Sequence, residues 1–157
     1  MEKYEEALAD FNRAIELDEK YAWAIAKRGE TYRTVGQIGK AIEDYTLVID
    51  MGKADSDDFS RRAAAYMAIG DTKSAQSDLS KALELPVKSA GDYYGRGIAF
   101  TLLNEQDKAI EILKEAFQRD IAMKAYAETD DLLDPLRSLP KFQDLMINYR
   151  LPGKLRD

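Results

Sequence analysis

"DSDD" at 55–58 groups three carboxylates in four residues, a natural place to look for a metal. A calcium loop counted from Asp55 needs a glycine at its sixth position and a glutamate at its twelfth. Those positions hold Ser60 and Tyr66. The stretch reads instead as an acidic helix start, favoured by the positive end of the helix dipole. "GQIGK" at 36–40 has neither the spacing nor the closing Ser or Thr of a phosphate-cradling loop. "GDYYGRG" at 91–97 is not G-x-G-x-x-G and opens no strand-to-helix switch; its glycines read as packing residues and a loose joint. The chain contains no cysteine and no histidine. That removes Cys nucleophiles, His general bases, Ser-His-Asp triads and the usual zinc sites together. The remaining carboxylates are spread over solvent-facing positions, as with Glu16 and Lys20 at i, i+4. No catalytic residue, metal ligand or cofactor is expected.

What must carry these side chains is a repeated helical unit. Ala7, Ala41, Ala75 and Ala109 recur at a step of 34, and so do Gly29, Ala63 and Gly97. Large residues follow in phase: Tyr32, Tyr66 and Phe100 after one series, and Phe11, Tyr45, Leu79 and Leu113 after the other. Between the two small positions lie Gly36, Gly70 and Asn104, residue types that accept the left-handed conformation closing a helix. Each unit therefore reads helix, turn, helix. Where two helices of a hairpin cross closely, a small residue on one receives a bulky side chain from the other. Enlarging Gly29 or Ala41 is expected to overpack the contact by about 1–3 kcal/mol. A mid-helix glycine costs roughly 1 kcal/mol against alanine, so its return at Gly97 implies that close packing offsets it.

With these anchors in phase, the chain resembles the tetratricopeptide repeat (TPR) family, whose unit is 34 residues with small residues in both helices. The resemblance covers residues 2 to about 123. It implies an all-α fold: an α-solenoid of antiparallel helix hairpins in a right-handed superhelix. The units divide as a half repeat at 1–21 (second helix only), full repeats at 22–55, 56–89 and 90–123, C-terminal capping helices at 124–149 and a flexible tail at 150–157. The family's Trp is replaced by Ile25, Phe59 and Tyr93, and its terminal Pro by Glu19, Lys53, Val87 and Ile121. Pro86 sits one place early, so the joint at "ELPVKSAGD" is expected to bend differently.

The 157 residues suffice for one domain with a substantial core. A net charge of −6 argues against nucleic acid and against an anionic membrane surface as partner. No apolar run approaches the roughly 18 residues of a spanning helix. The acidic, amphipathic start "MEKYEEALADF" shows no signal peptide, and a cytoplasmic location is the expectation.

"YEEALADFNRAIEL" is a second helix without its first, so Tyr4, Leu8 and Phe11 are expected to lack their usual cover. Three readings stand: a piece of a longer array, an edge that another copy covers to give a homo-oligomer, or a frayed cap. At the other end, "AYAETDDLLDPLRSLPKFQDLM" loses the phase. Thr129, Asp130 and Asp131 are helix-start residues. Pro135 and Pro140 are breaks, and Leu133, Leu136, Leu139, Phe142 and Leu145 form a seam, which reads as a cap of two short helices.

The resemblance further implies that the first helices of successive units line a concave groove where peptides dock. Carried over by repeat position, the partner-binding residues are Trp23, Lys27, Arg33, Arg61, Met67, Tyr94, Ile98 and Leu102. Met67, Tyr94, Ile98 and Leu102 are expected as exposed anchors, and Lys27, Arg33 and Arg61 as partners for acidic groups on a ligand. The plainer alternative is that the C-terminal cap covers them. The carboxylate clamp for heat-shock chaperone tails is absent, because its positions hold Ala26, Glu30, Arg61, Gly91 and Gly95. The expected function is a non-catalytic protein–protein interaction module for a peptide or protein segment, the alternative a self-assembling scaffold element.

Overall fold

The step of 34 reappears as helix boundaries. The computed structural model describes residues 2–149, so the tail expected at 150–157 lies outside the described residues. Helix α1 (Glu2–Leu17) precedes three hairpins: α2 (Ala22–Thr34) with α3 (Ile38–Asp50), α4 (Ser56–Ala68) with α5 (Thr72–Glu84), and α6 (Ala90–Leu102) with α7 (Gln106–Arg119). The chain then runs through α8 (Ala122–Thr129), a 3-10 helix (Asp131–Leu136) and α9 (Pro140–Asn148). The fold is an α-solenoid, with no strand among the described residues. The C-terminal segment holds three short helical pieces, where the sequence pattern predicts two. Pro135 sits inside the tighter 3-10 turn, and Pro140 opens α9, where its missing N–H costs nothing.

The hairpin turns are closed by Gly36, Gly70 and Asn104, at φ of 79°, 80° and 60°. The DSDD stretch forms a capping box. The Asp55 carboxylate accepts from the Asp57 and Asp58 amides at 2.8 and 3.1 Å, and Asp58 accepts from the Asp55 amide at 3.2 Å. Ser89 and Asp92 repeat the device at the start of α6. The joint before α6 differs, as Pro86 predicts: α5 ends on an extended Leu85, with ψ 143°, whereas Gly52, just after α3, has φ 67°.

Small residues set the helix spacing. A Cβ on Gly29 would lie 3.1 Å from Asp44 Cβ and 3.4 Å from the Tyr45 ring, so the bulky group received there is Tyr45 of α3. At the equivalent Gly97, a Cβ would lie 2.6 Å from Leu113. Gly95 brings α6 onto the first turn of α4, where a Cβ would land on the Ser56–Asp57 backbone. Ser60 Oγ donates to the Gly95 carbonyl at 2.8 Å across that contact. One apolar cluster joins α4 and α5 to Ala99. A larger one joins α6 and α7 to Ala127, Leu133, Leu136, Phe142 and Leu145, so the C-terminal segment shares the core of the third hairpin.

Candidate functional site: the inner face of the hairpin stack

Helices α2, α4 and α6 line up as the first helices of their hairpins, and the segment from α8 into the 3-10 helix lies across them. The contacts reach from the third hairpin back to the first. The Tyr94 hydroxyl of α6 donates to Asp130 at 3.1 Å. Arg61 of α4 donates through Nη2 to the same carboxylate oxygen at 2.6 Å. Arg33 of α2 makes a two-pronged pair with Asp131, at 2.6 and 2.8 Å. Lys27 Nζ sits 4.6 Å from the centre of the Tyr126 ring, and Tyr126 meets Tyr94 edge to face at 6.4 Å.

Arg61 is the hub. It is 2 % exposed, donates through Nε to Asp57 at 2.8 Å and places Nη1 3.1 Å from Glu30. Burial opposes its charge, but Asp57, Glu30 and Asp130 outweigh that cost and hold its pKa well above the ordinary value. Burial pushes the Tyr94 hydroxyl up, and the adjacent Asp130 carboxylate pushes it further. The Arg33 hydrogen bonds hold Asp131 below the usual carboxylate range. Burial raises Asp57 to about 6, against the opposing pull of Arg61. Burial and the neighbouring Asp55 and Asp57 raise Asp58 to about 7. Each shift has a structural cause: Asp58 caps α4, Asp57 neutralises Arg61, Asp131 neutralises Arg33, and Tyr94 lies against Asp130.

Two of the expected exposed anchors are therefore corrected. Tyr94 is 3 % exposed and Ile98 is fully buried, because Ala127, Leu133 and Leu136 pack over α6. Leu102 is half-buried between the two apolar clusters. Arg33 and Arg61 do pair with acidic groups, but those of their own chain, Asp131 and Asp130. Met67 remains exposed, on the last turn of α4. At the N-terminal edge Tyr4 is exposed, whereas Leu8 and Phe11 are half-buried rather than bare. Part of their cover comes from α2, since Phe11 meets Trp23 edge to face at 6.0 Å.

Trp23 is the large side chain left open at the N-terminal end of this face, 55 % exposed. Behind it, α2, α3 and the start of α4 enclose a cavity of about 230 Å³ lined by Lys27, Tyr45, Asp57 and Arg61 among others. Sequence reasoning did not place Tyr45, Asp130 or Asp131 at a site, although repeat position did put Asp57 in the groove. The available signal was two arginines outside the packing pattern, Arg33 and Arg61, and two adjacent aspartates where the repeat phase ends.

No curated protein matches the chain. A family model described as TPR repeat matches residues 1–36. A crystal structure of MamA superposes with a TM-score of 0.51 at 20 % identity, over 89 % of this chain and 85 % of that one. YrrB, described as a TPR protein with an unusual peptide-binding site, superposes with a TM-score of 0.51 at 22 % identity, over 92 % of this chain and 78 % of its own. A tetratricopeptide repeat protein from Parabacteroides merdae ATCC 43184 gives 0.52 at 20 % identity, over 94 % of this chain and 60 % of that one. With its repeated helical hairpins, the chain has the fold of these tetratricopeptide-repeat structures and resembles the repeat's family model over residues 1–36, and its own C-terminal segment lies across its inner face.

Proposed function

We propose that the chain is a non-catalytic module that binds a protein or peptide segment at the N-terminal end of its inner face. Its fold is that of a general protein-interaction module. The observation that supports this location is the contrast along the face. Its C-terminal half is filled by the segment from Tyr126 to Leu136, whereas at the other end an exposed Trp23 stands over an open cavity. Exposed aromatic side chains beside a cavity are where binding energy concentrates in protein interfaces. The peptide-binding description of YrrB, a structure of the same fold, agrees with this reading. Self-assembly through α1 has less support, because Leu8 and Phe11 are already half-buried.

The test is a selection from a proteome-derived peptide display library on the native protein and on Trp23→Ala. Peptides enriched on the native protein and lost on the variant are the expected result. Enrichment that ignores the substitution, or none, counts against a site at Trp23. Dissociation of a native oligomer by Leu8→Glu would then favour the α1 edge.

A further inference from the structure

The cavity behind Trp23 is lined by more than its share of negative charge. Asp55, Asp57 and Asp58 enter it from the first turn of α4 and Glu30 from α2. The cations that line it are already engaged. Arg61 holds three carboxylates, Lys27 pairs with Glu30 at 2.8 Å, and Lys53 Nζ donates to the Lys20 carbonyl at 2.9 Å. Three polar atoms in the lining have no hydrogen-bond partner among the described residues: the hydroxyl of the fully buried Tyr45, Asp57 Oδ1, and Arg61 Nη1, whose charge is still faced by Glu30 at 3.1 Å. A buried polar atom without a partner is costly, and a ligand group that satisfies it recovers that cost.

We propose that this cavity is a subsite for one basic side chain, lysine or arginine, of the bound peptide, which enters beside Trp23 and places its charge at Asp57 Oδ1 and the Tyr45 hydroxyl. The inference rests on the peptide-binding reading of the same end of the face and names the class of residue bound there. A volume of about 230 Å³ holds several waters' worth of space at about 30 Å³ each, enough for one extended side chain and not for a folded segment. Trp23 lines the same cavity and is 55 % exposed, and indole is the aromatic ring that attracts a cation best. Burial is the main cause that raises Asp57, and a cation at Asp57 Oδ1 offsets that cost. The net charge of −6 draws a basic partner toward the whole molecule.

Trp23 is the only tryptophan, so its indole N–H resonance reports on this cavity alone. The probes are acetyl-Gly-Leu-Arg-Leu-Gly-amide and its Lys, Glu and norleucine counterparts. They are titrated into the native protein, Asp57→Asn and Tyr45→Phe, with helix content checked by circular dichroism. The Arg and Lys peptides should shift the resonance saturably and bind about tenfold more tightly than the Glu and norleucine peptides. Asp57→Asn should remove most of that preference, and the isosteric Tyr45→Phe, which retains the packed ring, should weaken it. Equal binding of the norleucine peptide, or a preference for Glu, overturns the basic subsite while leaving a peptide site at Trp23 intact. A basic preference that survives both substitutions overturns the assignment to Asp57 and Tyr45. If none of the peptides perturbs Trp23, the subsite is refuted, and the display selection decides separately whether any peptide site exists there.

Discussion

Arg61 in the second hairpin and Asp130 at the end of α8 stand 69 positions apart and meet at 2.6 Å with both side chains buried. This pair ties the C-terminal segment to the middle of the array, while Arg33 with Asp131 ties it to the first hairpin. Removing one partner of a buried pair leaves the other charge uncompensated, at about 3–5 kcal/mol. Asp130→Ala is expected at the lower end of that range, because Asp57 and Glu30 still face Arg61. Arg61→Leu is expected at the upper end, because it strands three carboxylates. Urea denaturation of the two single variants and the double variant measures both losses and their coupling.

The small residues should not tolerate alanine equally. Alanine gains roughly 1 kcal/mol of helix propensity over glycine, and overpacking removes about 1–3 kcal/mol. At Gly29 the nearest side-chain atom is 3.1 Å away, so Gly29→Ala should be close to neutral. At Gly97 the Leu113 side chain must move, and at Gly95 the obstacle is backbone. The expected order of destabilisation is Gly95→Ala, then Gly97→Ala, then Gly29→Ala, read from melting temperatures.

Asp58 should make stability fall as pH rises. Its folded-state pKa of about 7 lies above the ordinary carboxylate value of 3.8, so the folded protein binds this proton more tightly than the unfolded chain. That contribution is complete below about pH 4 and is lost as pH rises through about 7. The neutral mimic Asp58→Asn can still accept from the Asp55 amide. It should stabilise the protein at pH 8 by on the order of 1–2 kcal/mol and leave it nearly unchanged at pH 4.5. A stabilisation of equal size at both pH values would contradict the assignment.

A second ion pair follows the repeat. Arg28 pairs with Asp44 in the first hairpin, and Arg62 with Asp78 in the second, each carboxylate buried and each pair two-pronged. In the third hairpin the acidic position is Ile112, and Arg96 turns to the Leu85 carbonyl. Asp44→Ala and Asp78→Ala should each cost about 1–3 kcal/mol, and their effects should add because the pairs share no atoms. Chemical denaturation of the two singles and the double checks both statements.

The hairpins were legible because their determinants are local and repeated. Tyr45 and Leu113 are found by counting from Ala41 and Ala109, and Gly36, Gly70 and Asn104 mark the turns by their own backbone preference. The Arg28–Asp44 pair was equally readable, since both residues recur 34 positions later. The inner face was not. Whether Tyr94 and Ile98 are open depends on where residues 126–136 go once the repeat ends, and no periodicity governs that segment. Its course is set by long-range partners, Arg33 with Asp131 and Arg61 with Asp130, whose registers share no step. Tyr45 belongs to both classes: its ring follows the packing pattern, while its unpartnered hydroxyl is visible only in three dimensions.

The path of the C-terminal segment can be measured directly, because the chain has no cysteine to compete with introduced labels. Thr34 and Thr129 line one cleft from opposite sides, α2 and α8. Nitroxide labels on Thr34→Cys and Thr129→Cys, read by pulsed electron–electron resonance, should give one narrow distribution at short distance, which Asp131→Lys broadens. A broad distribution centred at long distance in the otherwise native protein would mean that the inner face is open, and that Tyr94 and Ile98 are available to a partner after all.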